Sequence, residues 1–150
     1  RGDIYVTNKH LGLYEANDVR ADFFTEEAGL PYTNKFSDQF GDVLVVRLAE
    51  MYLTRAECNQ RLGTSTGATA AADVNRIRAR AGLGALGTVN LAAILKERKL
   101  ELAFEGNQLD DVKRTKTSFG ALPFNDNKLV LPIPQRELDT NKNLAQNPGY

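Results

Sequence analysis

Tryptophan is absent from the 150 residues, and cysteine and histidine occur once each, as Cys58 and His10. A single cysteine rules out a disulfide within the chain and leaves the redox compartment unread. With one thiol and one imidazole, a zinc site would have to be built almost wholly from carboxylates, which is uncommon. Neither sign of charge is in excess: 19 basic residues balance 19 acidic ones. Nucleic-acid binders carry a basic surplus to neutralise phosphates, so this balance argues against that class. No apolar run approaches the ~20 residues needed to cross a bilayer. The opening Arg1-Gly2-Asp3 is not a signal peptide, and although it resembles an integrin tripeptide it is read only as the point where the sequence begins. The expectation is either a cytosolic protein or one whose address lies in a missing amino-terminal region.

What is present is an ordinary globular composition, 42% hydrophobic and 25% charged, enough for one core. Residues 1–41 form a loop-rich opening segment with one short strand expected at Ile4–Val6. Residues 42–106 carry helical periodicity, and residues 107–150 form an irregular Pro/Asn-rich tail with a short edge strand expected at Leu129–Ile133. The periodic stretch divides into three helices. Asp42 is expected to cap the first, which runs to Leu62 and stops at Gly63. Thr64-Ser65-Thr66-Gly67 is a turn, and a second helix follows over 68–81, stopped by Gly82. Asn90 caps a third over 91–105, stopped by Gly106.

On the first helix, Leu44, Leu48, Met51, Cys58 and Leu62 make one apolar stripe, and Val45, Ala49, Tyr52 and Ala56 make another beside it. An arc this wide predicts packing on two sides, with Cys58 a buried thiol. The second helix offers a small-residue stripe (Ala68, Ala71, Ala72, Ala79) and an apolar one (Ala70, Val74, Ile77, Ala81). Two such helices across a short turn predict a mainly α fold with a stacked, tetratricopeptide-like helical hairpin, plus the third helix. Only one such pair is visible, so further repeats are expected outside this sequence.

The third helix aligns Glu97, Glu101 and Glu105 on the face opposite Ala92, Lys96, Lys99 and Ala103. Three carboxylates at i,i+4 spacing repel one another, and turned inward they require cations. Arg98, Arg55, Arg78 and Arg114 are the candidates for a semi-buried ion-pair network.

Other motifs yield to plainer readings. Gly82-Leu83-Gly84-Ala85-Leu86-Gly87 fits GxGxxG, but a dinucleotide site needs a strand before it and a helix after it, and here a helix comes first. A glycosidase would need two carboxylates across a cleft, whereas glutamates one turn apart project the same way. Cys58 with a distant His10 makes a poor nucleophile pair. For sugar stacking, Tyr14, Tyr32, Phe36 and Phe40 lie in the polar opening segment, although loop aromatics usually anchor a loop to the core.

Four motifs in order resemble the SusD/RagB family. They are Val46-Arg47-Leu48-Ala49-Glu50-Met51-Tyr52-Leu53 continuing to Arg55-Ala56-Glu57; Asn75-Arg76-Ile77-Arg78-Ala79-Arg80-Ala81-Gly82-Leu83; Glu97-Arg98, Glu101-Leu102 and Phe104-Glu105-Gly106; and Leu131-Pro132-Ile133-Pro134 with Gln146-Asn147-Pro148-Gly149-Tyr150. The match covers most of residues 43–150, with looser agreement at Asp18–Arg20 and Tyr32–Phe36. It departs at Gln108, where the family usually has Arg, and at Asn141-Lys142. The resemblance implies the carboxy-terminal part of a non-enzymatic, lipid-anchored outer-membrane protein without cofactor. Such a protein binds an oligosaccharide or other nutrient ligand and hands it to a SusC-type TonB-dependent transporter. The lipid anchor would lie outside this chain, and Tyr14, Tyr32 and Phe36 are the ligand-binding candidates within it. The competing expectation is a helical scaffold that binds another protein and has no sugar affinity. Exposed Tyr and Phe clustered beside Asn, Asp or Arg would favour the glycan reading.

Overall fold

A computed structural model describes residues 4–42 and 44–150; Arg1-Gly2-Asp3 and Val43 lie outside the described residues. Six α-helices and two small hairpins make the fold mainly α among those residues. The chain divides into two compact units, 1–105 and 106–150.

The first unit opens with α1 (Asn8–Leu11), whose first turn Thr7 caps through its hydroxyl. A 3-10 turn, Val19–Phe23, follows; Asp18 caps it and accepts the Arg20 backbone N–H at 3.0 Å. Strands β1 (Phe24–Glu27) and β2 (Leu30–Thr33) then pair antiparallel. This hairpin replaces the strand expected at Ile4–Val6. Residues 4–6 are not a strand and contribute one bond, from Val6 N–H to Pro31 C=O at 2.7 Å.

The three periodic helices are α2 (Leu48–Leu62), α3 (Ala70–Arg80) and α4 (Leu91–Glu101). Their stops and two of their caps follow local chemistry. Gly63 adopts φ 65° and closes α2. Thr69 and Asn90 accept backbone N–H groups at 3.1 and 2.9 Å to start α3 and α4. Asp42, by contrast, is not the cap: α2 begins at Leu48 with extended Arg47 before it, and the apolar residues 44–46 stay non-helical. Two of them, Val45 and Val46, are β-branched and favour extended backbone. At the far end, α4 stops at Glu101 rather than Glu105, because Phe104 (φ 66°) and Gly106 (φ 85°) turn the backbone into the left-handed region.

The core joins Ala49, Leu53 and Ala56 of α2 to Val74 and Ile77 of α3 and Ile94 of α4, with Val89 beside them. Its α2 face is therefore Ala49, Tyr52 and Ala56 of the second stripe together with Leu53, which neither expected stripe contained. The larger stripe expected inside is exposed: Leu48, Met51, Cys58 and Leu62 all face solvent. Cys58 is an exposed thiol, not a buried one. Periodicity reveals an apolar stripe but does not say which of two adjacent stripes a neighbour covers. On α3 the Ala70, Val74, Ile77, Ala81 stripe packs inward, while Ala72 and Ala79 of the small stripe are exposed.

Carboxamides pin the connections. Asn59 donates to the carbonyls of Thr66 and Ala68 at 3.1 and 2.8 Å and accepts from Thr66 N–H at 3.0 Å, fixing the α2–α3 turn. Asn75 grips Leu86 through both its N–H and C=O, so the glycine-rich stretch after α3 is a loop held from behind. The element leading into it is α3, not a strand.

The second unit contains α5 (Gln108–Thr115), the hairpin β3 (Ser118–Phe119) with β4 (Leu122–Pro123), a 3-10 turn at Asn127–Leu129, and α6 (Gln135–Thr140). The edge strand expected at Leu129–Ile133 is not formed. Gln146 instead satisfies Ile133 N–H and C=O at 2.8 and 2.9 Å, and Asn147 donates to Leu131 C=O at 2.7 Å. Two consecutive prolines in i,i+2 spacing, Pro132 and Pro134, lack the N–H that a strand ladder needs.

Candidate functional site

Glu101, at the end of α4, and Glu105, in the turn after it, line a cleft in the first unit; Glu97 lies one helical turn before Glu101. Glu97 meets Arg20 at 2.6 Å and Arg78 at 3.5 Å. Glu101 receives Arg20 at 3.2 Å, Arg47 at 2.5 Å, and Arg80. Glu105 receives Arg47 at 2.7 Å through Nε, and Lys35. Arg20 itself is held by Asp18 through Nε at 2.9 Å and Nη2 at 2.8 Å. The Asp18 side chain has no exposure and that of Arg20 only 7%. Charges so deeply buried are tolerable only because they alternate in sign and nearly fill one another's hydrogen-bonding capacity.

Of the cations expected from the sequence, Arg78 joins this network, also clasping Glu15 at 2.8 Å. The other three pair elsewhere. Arg98 reaches Glu50 at 3.0 Å and Thr54 at 3.2 Å. Arg55 holds Asp73 in a two-pronged bond at 2.9 and 2.7 Å, and Arg114 pairs with Asp111 in the second unit. The cations missed were Arg20, Lys35, Arg47 and Arg80. Arg47 is the extended residue just before α2, so helical period does not place its side chain. Arg20 and Lys35 sit in stretches without periodicity.

These contacts set the acidities. Burial pushes Glu101 up, but the Arg47 hydrogen bond and the charges of Arg47 and Arg80 outweigh it and hold its carboxyl below the ordinary glutamate value. Glu105 is likewise lowered, with burial opposed by Arg47 and Lys35.

A wall of rings adjoins the network. Tyr14 packs against Phe24 and His10 with ring centres 5.4 and 5.5 Å away, and Phe104 lies 6.0 Å from Phe24. The edge-on geometry is the one that ring quadrupoles favour. The Tyr14 hydroxyl donates to Leu100 C=O at 3.2 Å and contacts His10 Nε2 at 3.3 Å. Burial pushes its pKa up to about 12, and burial also lowers that of His10, helped by Lys99.

Ion pairs and rings together bound a cleft of about 470 Å³. Tyr14 and Phe36 line it, but Tyr32, on β2, does not. Phe23 was not singled out from the sequence; it also lines the cleft and, like Phe36, is exposed. Tyr14 is half-buried and bonded to the end of α4, so its ring forms wall rather than a free platform. Among the described residues no group of side chains is arranged to hold a metal. No helix among them is long and apolar enough to cross a membrane.

The family model described as the SusD family matches residues 22–122, which include Lys35, Arg47, Arg80 and the whole glutamate row. The chain belongs to the SusD family. It is similar to SusD-like protein P2 of Formosa agariphila, 35% identical over 130 residues, covering 70% of this chain and 25% of that protein. It is also similar to starch-binding protein SusD of Bacteroides thetaiotaomicron, 32% identical over 129 residues, covering 73% of this chain and 22% of that one. The SusD-family chain thus spans about a quarter of the length of these curated relatives. Among solved structures it resembles a candidate sugar-binding protein of Bacteroides vulgatus, with TM-score 0.82 and 28% identity. That alignment covers 97% of this chain and 39% of the other. A SusD superfamily protein of Parabacteroides distasonis, at 24% identity and TM-score 0.76, shares the fold over 97% of this chain and 42% of its own.

Proposed function

We propose that this SusD-family chain is part of a non-catalytic glycan-binding protein of the bacterial outer membrane. It would be held there by a lipid anchor outside the chain and would deliver oligosaccharide to a SusC-type TonB-dependent transporter. The observation that carries the proposal is the cleft, where exposed Phe23 and Phe36 stand beside Arg80 and Asp42. Apolar ring faces with adjacent polar groups suit a pyranose, which has an apolar face and a rim of hydroxyls. Starch binding, named for the Bacteroides thetaiotaomicron relative, is in keeping with this chemistry. Ligand capture without cleavage is supported by the state of the carboxylates. Hydrolysis needs one raised carboxyl to protonate the leaving oxygen, whereas Glu101 and Glu105 are lowered and tied to cations.

Calorimetric titration of an oligosaccharide panel tests the reading. Phe23→Ala and Phe36→Ala should each weaken binding about tenfold, as expected for aromatic anchors worth upward of about 1 kcal/mol. Unchanged affinity in both variants would remove the cleft as the site. The exposed apolar stripe of α2 is the observation favouring the scaffold reading. A chain that ignores every sugar but captures the transporter would decide for it.

A further inference from the structure

The cations around the cleft differ in how many donors they have left to give. Lys35 has three N–H groups, and it donates to Glu101 C=O at 3.1 Å, Ala103 C=O at 3.0 Å and the Glu105 carboxylate. Arg47 donates through Nε and Nη1 to Glu105 and Glu101, and through Nη2 to Glu101 C=O at 2.6 Å and Glu105 at 2.7 Å. Arg20 makes four side-chain bonds, two to Asp18 and one each to Glu97 and Glu101. Arg80 is different. Its Nη2 meets Glu101, and its other N–H groups have no partner among the described residues. Its side chain is 62% exposed, while that of Glu101 beneath it is 2% exposed.

The layering matters because a ligand meets the outer charges first. Glu101 and Glu105 are buried under the cations that neutralise them. Of the charged groups on the cleft wall, Arg80 and Asp42 are the exposed ones. Arg80 is also steadied from behind by Glu101, so less rotamer freedom is lost when it grips a ligand. A guanidinium presents a planar fork whose geometry matches a carboxylate. Exposed Phe23 and Phe36 line the same cleft.

We infer that the cleft takes acidic oligosaccharides, with Arg80 clasping the carboxylate of a hexuronate whose ring lies against the phenylalanines. This rests on the cleft being the glycan site proposed above. Asp42 serves as an acceptor for sugar hydroxyls and sets a limit on how much negative charge the site tolerates.

Calorimetry with matched probes tests it. Trisaccharides of galacturonate, guluronate, mannuronate and glucuronate are each compared with the same sugar after reduction of its carboxyls to hydroxymethyl groups. At least one oligouronate should bind about tenfold tighter than its reduced partner, and the gap should narrow as salt is raised. Arg80→Gln should close the gap by weakening the oligouronate far more than the reduced sugar, and Arg80→Lys should restore part of it. Asp42→Asn should tighten the acidic ligand by about threefold, the effect of removing one like charge near the surface. A thermal melt of Arg80→Gln checks the fold, since Glu101 keeps Arg20 and Arg47. If reduced sugars bind as tightly as acidic ones, or if the gap survives Arg80→Gln, the acidic preference is refuted while glycan binding stands. If no sugar of either kind binds, both readings fall together.

Discussion

Replacing Arg20 with methionine removes a cation from the most deeply buried part of the network while roughly keeping its volume. Glu101 would retain Arg47 and Arg80, and Glu97 would retain Arg78. Asp18 would be left worst off. Its side chain has no exposure, and its remaining bond is the one at 3.0 Å from the backbone N–H of residue 20. Breaking a buried pair on one side costs about 3–5 kcal/mol. The expected loss is therefore about 3–5 kcal/mol, or a fall in Tm of roughly 6–20 °C for a chain this long. Urea denaturation followed by helical circular dichroism measures it. Adding Asp18→Asn to Arg20→Met should recover about 1–2 kcal/mol, because the orphaned charge is gone and the amide oxygen still caps the 3-10 turn. A loss below about 1 kcal/mol, or a double variant no better than the single one, would refute the claim that this pair is buried and coupled.

Acid should destabilise the first unit in two legs. His10 is lowered in the folded chain, so below its ordinary 6.5 the unfolded chain takes up a proton that the folded chain refuses, and stability begins to fall. Glu101 and Glu105 are also lowered, so the stability they contribute is present above the ordinary 4.5 and is lost as pH drops through their folded values. In urea midpoints measured against pH, His10→Gln should flatten the first leg and Glu105→Gln the second; unchanged curves would contradict both assignments. In an alkaline absorbance titration, one of the five tyrosines should ionise near 12, and Tyr14→Phe should remove that late step at a cost of about 1 kcal/mol for the lost Leu100 bond.

The sequence made some of this legible and hid the rest for definable reasons. The helix stop at Gly63 and the caps at Thr69 and Asn90 could be read because they depend on a few neighbouring residues. The inward turn of Glu97 and Glu101 followed from period alone, and both are buried. Their partners could not be read the same way. Arg20 and Lys35 reach the row from segments with no repeating pattern, and only the folded path brings them near. The choice between the two stripes of α2 was also undetermined. Ala49, Leu53 and Ala56 make the smaller apolar surface, yet α3 and α4 lie on that side. In the cleft, Phe36 was found by composition, whereas Phe23 and Arg80 were not, because exposure and spare donors are properties of the fold.

The span of chain closed by Arg20 also orders events in time. Its bonds to Glu97 and Glu101 join residues 77 and 81 positions apart, whereas Arg55 and Asp73, which tie α2 to α3, are 18 apart. Closing the longer loop costs more chain entropy and yields nothing until both ends are in place. On that ground the helical hairpin is expected to assemble before the Arg20 clasp, so that Arg20→Met should speed unfolding and leave the folding rate nearly unchanged. Interactions that form after the transition state leave the folding rate almost untouched and set the rate of unfolding. The buried network accordingly acts as a latch on a structure already formed, governing how long the folded chain lasts rather than how quickly it appears.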